Sequence, residues 1–209
     1  MPVGLVVESP DIMVGFQPAG SACCVWRDGA GEYVATAAHV LDAATASTRM
    51  RWISADLSSS GNGTPLVNEA WLPVPGGRLD AGLIQIDDAG PFRSGGPYPR
   101  GQGVLSRDAI ATDLIVEICG KHGRTTARFD GHIEAGFEFL GHRHGRLLQF
   151  RFLAGETDPG DSGAAIVSMP DQMLVAMHVA HEGARSLAVP ASDIRDAFGA
   201  LRFGFDLRP

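Results

Sequence analysis

Asp158-Pro159-Gly160-Asp161-Ser162-Gly163-Ala164 sets a serine in a turn between two glycines, and the apolar run Ala164 to Ser168 follows at once. A serine hydroxyl is a poor nucleophile near neutral pH. It needs a histidine within hydrogen-bond reach as general base, and that imidazole needs a buried carboxylate to fix its tautomer. Two stretches upstream carry those groups: Thr36-Ala37-Ala38-His39-Val40 and Leu79-Asp80-Ala81-Gly82-Leu83-Ile84-Gln85-Ile86. His39 and Asp80 are 41 residues apart, and Ser162 follows after about twice that distance. Each piece alone has an ordinary structural role, as a turn, a core histidine or a strand-end cap. In this order, at domain-sized separations, they favour joint chemistry. Asp56 and Asp87 are the alternatives to Asp80, but only Asp80 directly precedes an apolar run.

The surrounding chain reads as β. Short apolar runs recur between Gly, Pro, Asn, Asp and Ser clusters: Ser21 to Trp26, Tyr33 to Thr36, Leu83 to Ile86, Leu114 to Cys119, Leu147 to Leu153, Ala164 to Ser168 and Met173 to Ala180. Their length and spacing are those of strands. Leu148, Phe150 and Phe152 alternate with Gln149 and Arg151, the period of a strand with one buried face. Asp28-Gly29-Ala30-Gly31 predicts a hairpin turn. Ile194, Ala197, Phe198 and Leu201 follow helical spacing, with Pro190 upstream and Ser192 or Asp193 able to cap, so a helix is expected over about residues 192–202.

Composition supports this. Among 209 residues, 27 are Gly and 13 Pro, which argues for turns and against a helical bundle. The richest breaker segment, Asp88 to Gly103, predicts the link between two lobes, residues 1–95 and 96–209. A net charge of -7 gives no long-range attraction to phosphate backbones or anionic lipid, so neither a nucleic-acid nor a membrane partner is expected. No stretch has the ~20 apolar residues of a membrane span. Cys23, Cys24 and Cys119 cannot form a disulfide framework and read as small buried residues of a reducing compartment. His132, His142 and His144 lack cysteine or carboxylate companions at ligand spacing, so neither a metal site nor a cofactor is expected.

The His39, Asp80 and Ser162 stretches together resemble the chymotrypsin-like (trypsin-fold) serine peptidases of bacterial type; this family's chain order is His, Asp, Ser. Cys119-Gly120-Lys121-His122-Gly123-Arg124-Thr125-Thr126 is similar to the Gly-Arg-Thr-Thr turn common early in the second barrel of bacterial members. The resemblance implies two antiparallel Greek-key six-stranded β-barrels closed by a C-terminal helix. His39 and Asp80 belong to the first barrel and Ser162 to the second. It implies an endopeptidase acting on polypeptides through an acyl-enzyme at Ser162, with His39 as base, Asp80 orienting it, and the amides of Gly160 and Ser162 as oxyanion donors.

Two signals compete for specificity. Glu156 stands where basic-specific members carry an acidic residue. Thr157 and His178 resemble the Thr/His pair with which glutamyl endopeptidases and viral 3C-type peptidases bind a Glu or Gln side chain. A neutral imidazole and a hydroxyl suit a carbonyl or carboxylate oxygen in an apolar slot. Cleavage after Glu or Gln is therefore the expectation.

The chain departs from the family in two respects. Asp161 stands where zymogen-derived members pair an aspartate with a newly exposed terminal ammonium, yet the start Met1-Pro2-Val3-Gly4 is unlike such a terminus and Val14-Gly15 is a poor substitute. Asp161 must find another partner, or the pocket stays loose until a substrate or activating protein orders it. No signal-like segment opens the sequence, which predicts a cytoplasmic protein, or a secreted one if the sequence is a processed form. The competing function is a restrained or catalytically silent peptide-binding module on the same fold; a third keeps the same triad but acts on esters or other acyl substrates.

Overall fold

The computed structural model describes residues 3–8, 17–28, 31–42, 44, 48–54, 60–87, 103–120 and 122–199. The first part of the chain forms β1 (Val3–Glu8), β2 (Gln17–Ser21), β3 (Cys24–Asp28), β4 (Gly31–Thr36), β5 (Arg49–Ser54) and β6 (Ser60–Pro65). A small hairpin, β7 (Pro73–Val74) and β8 (Gly77–Arg78), precedes β9 (Gly82–Ile86). Seven of these pair antiparallel in the order β2-β1-β5-β6-β9-β4-β3. The two edge strands, β2 and β3, are separated in sequence only by Ala22 and Cys23, and Cys23 N–H still donates to Ala35 C=O at 2.8 Å. The backbone itself therefore bends from one edge of the sheet to the other. Residues 17–28 thus run as one bent segment between the two edges of this seven-stranded sheet, and the expected run Ser21 to Trp26 is where the bend falls.

The second lobe contains β10 (Ile115–Gly120), β11 (Gly123–Ile133), β12 (Glu138–Phe139), β13 (His142–Arg143), β14 (Leu147–Ala154), β15 (Ala165–Ser168), β16 (Leu174–Glu182) and β17 (Arg185–Pro190). Six of them close a barrel in the order β10-β11-β14-β17-β16-β15. Its filling explains its sequence. Leu148 and Phe150 of β14 point inward with Val116, Ile118, Phe129, Ile166 and Val175. On the opposite face of β14, Leu147 joins a second core that also holds Cys23, Tyr33, Val40 and Leu83 of the first lobe together with Met177, Val179 and Phe198. The lobes share this continuous apolar interior.

All seven expected runs contain strand. Asp28 and Gly31 face each other at the end of the β3–β4 pairing, as a two-residue hairpin requires. The helix α1 (Ala191–Gly199) starts earlier than expected: Ser192 and Asp193 sit inside its first turn, and Ser192 Oγ donates to Asp193 Oδ1 at 3.4 Å. Ile194 and Phe198 are its buried anchors. Asp193 also pairs with Arg107, fastening the helix to the short 3-10 turn Arg107–Ala109. The expected Gly/Pro link falls mostly on residues 88–102, outside the described residues, as do Leu201, Val14 and Gly15. Cys23, Cys24 and Cys119 are free and buried.

Candidate active site

The first lobe supplies a His–Asp pair. After β4 the chain turns into a short 3-10 helix, Ala38–Leu41, whose Ala38, Val40 and Leu41 are buried while His39 keeps its ring partly open, 14% exposed. Asp80, immediately before β9, is fully buried. It is held at both oxygens: Oδ1 accepts the His39 backbone N–H at 3.1 Å, and Oδ2 lies 2.8 Å from His39 Nδ1. Backbone and side chain of one residue thus grip one carboxylate, which fixes the ring's orientation. Asp87 instead faces solvent beside Arg49, and Asp56 lies outside the described residues.

The second lobe supplies the serine turn. Gly160 and Gly163 adopt φ of 101° and 93°, conformations that a side chain disfavours. Gly163 is also pinned sterically, since a Cβ there would overlap Ser21 C=O and Thr36 Oγ1. The first lobe holds this turn directly: Ser21 N–H donates to Ser162 C=O at 2.7 Å, and Ser21 Oγ donates to Gly160 C=O at 2.9 Å.

The amides around the turn divide into two groups. Asp158 N–H donates to Asp161 Oδ2, Asp161 N–H to Asp158 C=O, Gly163 N–H to His178 C=O and Ala164 N–H to Asp161 C=O. The amides of Gly160 and Ser162 have no acceptor among the described residues. The Ser162 hydroxyl donates to Val179 C=O at 3.1 Å, and no hydrogen bond joins it to His39 among the described residues.

The candidate specificity residues take different hydrogen-bond partners. Thr157 is buried, but its hydroxyl contacts His181 Nδ1 at 3.3 Å rather than His178. His178 is 2% exposed, with Nδ1 2.8 Å from Ser186 Oγ. Burial pushes its pKa down to about 3, against the pull of Asp161, so the ring is neutral across the physiological range. The Glu156 side chain is exposed, and its carbonyl accepts the Thr125 hydroxyl at 2.7 Å. Sequence reading missed His181. Strand alternation places residues three apart on opposite faces, but a register shift between His178 and Ala180 inserts one residue and restores His181 to the His178 side.

His142 stacks on Trp71 with ring centroids 3.8 Å apart, joining hairpin β12–β13 to the first lobe, while His144 is fully buried near Phe137 and Phe139. His132 packs edge-on against Phe129. Trp71 Nε1 in turn donates to Asp42 Oδ1 at 2.6 Å, at the end of the turn that carries His39.

No family profile matches the sequence, and no curated protein matches it. Solved structures do. The Rv3671c protease of M. tuberculosis in its active form is similar over all of this chain and 82% of its own, with TM-score 0.65 and 14% identity. A glutamic acid specific serine protease, described as using a histidine triad in substrate binding, is similar over 93% of this chain and 95% of its own, with TM-score 0.61 and 13% identity. The HtrA-type protease AlgW, solved with a decapeptide, is similar over 95% of this chain with TM-score 0.61 and 16% identity, and the match spans 64% of its length. In its bent first sheet, its closed second barrel and its C-terminal helix, the chain has the fold of the chymotrypsin-like serine peptidases.

Proposed function

We propose that the chain is a serine endopeptidase. Ser162 attacks the scissile carbonyl, His39 takes its proton and later returns it to the leaving amine, and Asp80 holds His39 in the tautomer that does so. The observation that carries the reading is the pattern of amides. Within the turn 158–164, Gly160 and Ser162 alone keep N–H groups without an acceptor among the described residues. Donors fixed in advance cost no reorganisation when an oxyanion forms beside them, and one such donor contributes ~3 kcal/mol in comparable sites.

The substrate is a polypeptide cut after Glu or Gln. His178 is neutral, and Nδ1 pairs with the Ser186 hydroxyl; in this reading that hydroxyl donates to Nδ1, which leaves the proton on Nε2 as a donor to the substrate. Thr157, linked to His181, adds a hydroxyl. The competing basic preference would call on Glu156, whose side chain is exposed. We further infer a lobe boundary near residue 95 and a cytoplasmic location, the latter from three free buried thiols.

A restrained state is the second reading, and the Ser162–Val179 hydrogen bond favours it. A substrate or activating protein would have to turn the hydroxyl towards His39. Labelling with a fluorophosphonate probe tests the first reading: the wild type is labelled and Ser162→Ala is not. Labelling that never occurs, or that survives the substitution, overturns it. A wild type labelled only after peptide or protein is added supports the restrained state.

A further inference from the structure

We propose that His122 is a positioning residue for the Ser162 turn, locking Asp161 from the tip of the β10–β11 hairpin; the proposal rests on the endopeptidase reading above. Asp161 lies between Gly160 and Ser162, so its conformation sets where both unengaged amides point. Its side chain is 4% exposed. A carboxylate removed from water to that extent needs donors at its lone pairs, or the turn must open to hydrate it.

The donors are specific. Oδ2 accepts the Asp158 N–H at 2.9 Å, which closes the turn on itself. Oδ1 faces the other way and accepts from His122 twice: the backbone N–H at 3.2 Å and, with the proton on that nitrogen, ring Nδ1 at 3.1 Å. His122 is 39 residues away in sequence and belongs to neither the turn nor the specificity strand. The hairpin reaches Asp161 because Gly120 has no side chain; a Cβ there would overlap the Asp161 carboxylate. Thr125, further along the same hairpin, hydrogen-bonds Glu156 C=O at 2.7 Å. The hairpin therefore holds the serine segment at two points, and His122 supplies the only side-chain donor to Asp161 among the described residues.

His122 does not touch the reacting atoms, and the ring is 40% exposed. Its removal leaves the substrate pocket in place but lets Asp161 and the two amides drift. The effect falls on kcat and on serine reactivity, with KM little changed.

The test compares wild type, His122→Ala, His122→Asn, His122→Phe and Ser162→Ala in fluorophosphonate labelling rate and in kcat and KM on a peptide substrate, with thermal melts confirming the fold. Expected are a drop of about tenfold or more in labelling rate and kcat for His122→Ala, with KM within about twofold. His122→Asn, whose amide N–H can stand where Nδ1–H stood, restores most of the rate. His122→Phe, which keeps the ring but not the donor, does not, and it replaces the alanine variant if that one fails to fold. Wild-type labelling matched by the alanine or phenylalanine variant overturns the role of His122 alone. A folded asparagine variant as slow as phenylalanine overturns it equally. Absence of Ser162-dependent labelling in the wild type overturns the endopeptidase reading, and this proposal with it.

Discussion

Ser21 in the first lobe donates its amide to the carbonyl of Ser162 in the second, 2.7 Å away, so the nucleophile's turn is braced by the lobe that carries the base. Gly20 is part of the same brace, since a Cβ there would overlap Val40 and the Ser162 carbonyl. The turn's position thus depends on both lobes, through backbone contacts that a side chain at Gly20 or Gly163 would disturb.

Gly163→Ala is the sharpest test of that brace. The new Cβ would occupy the space of Ser21 C=O and Thr36 Oγ1 at a φ of 93°. Backbone strain of this kind costs about 1–3 kcal/mol before any overlap is counted. Urea titration should show a loss of at least that size, together with loss of fluorophosphonate labelling; an unchanged midpoint would contradict the geometry.

Asp80→Asn separates orientation from burial. The amide keeps the volume but offers an N–H2 where His39 Nδ1 needs an acceptor, at a distance of 2.8 Å in the wild type. The expected result is a fall in kcat of about 10³- to 10⁴-fold. An activity within tenfold of wild type would remove Asp80 from its proposed role.

The three motif stretches and the strand runs were legible because each rests on local chemistry. Glycines flank Ser162 where φ is positive, and the alternation of Leu148 and Phe150 with Arg151 is a strand's own period. Several strands lay outside the expected runs, β1, β11 and β17 among them; β5 and β6 escaped because Arg49-Met50-Arg51 and Ser60-Gly61-Asn62-Gly63 lack an apolar run, and pairing within the sheet overrides their weak propensity. The two partnerships at the site escaped for a different reason. The contact of Thr157 with His181 depends on a bulge, and that of Asp161 with His122 on a hairpin from elsewhere in the barrel. Neither leaves a mark in sequence spacing.

His178 makes stability depend on pH. Burial keeps it neutral in the folded chain, with a pKa of about 3, whereas in the unfolded chain it takes a proton below about pH 6.5. The unfolded state then binds more protons between those values, so this group's contribution is present above about pH 6.5 and lost as the pH falls. Between pH 7 and pH 5 it should remove about 2 kcal/mol. Urea midpoints for wild type and His178→Phe at both pH values provide the measurement, and the variant should show the smaller decline. Equal slopes would mean that the ring is not shielded in solution.

Thr157→Val and His181→Ala test the specificity site separately. Each removes one side of the 3.3 Å contact. If the Thr157 hydroxyl binds the Glu or Gln side chain, Thr157→Val should cost about 1 kcal/mol, or several-fold in kcat/KM, on such substrates only. His181→Ala should weaken the same substrates by a smaller factor, because it only steers that hydroxyl. Profiling a peptide library with each variant gives the answer, and a dominant Arg or Lys before the cut in the wild type would end the Glu/Gln assignment.

The three thiols are buried, which should shield them from reagents in the folded protein. Cys23 is held well above the usual thiol range, first by its hydrogen bond with Cys24 and then by burial. Burial chiefly raises Cys119 to about 11, although Arg124 pulls the other way. The thiolate is the nucleophile, so at pH 8 Cys119 should react with iodoacetamide about 100-fold more slowly than an exposed cysteine. The folded chain should therefore remain unmodified under conditions in which the urea-unfolded chain takes up three labels. Rapid native labelling at Cys119 would mean that the core shared by the two lobes opens readily, and the brace between Ser21 and Ser162 would open with it.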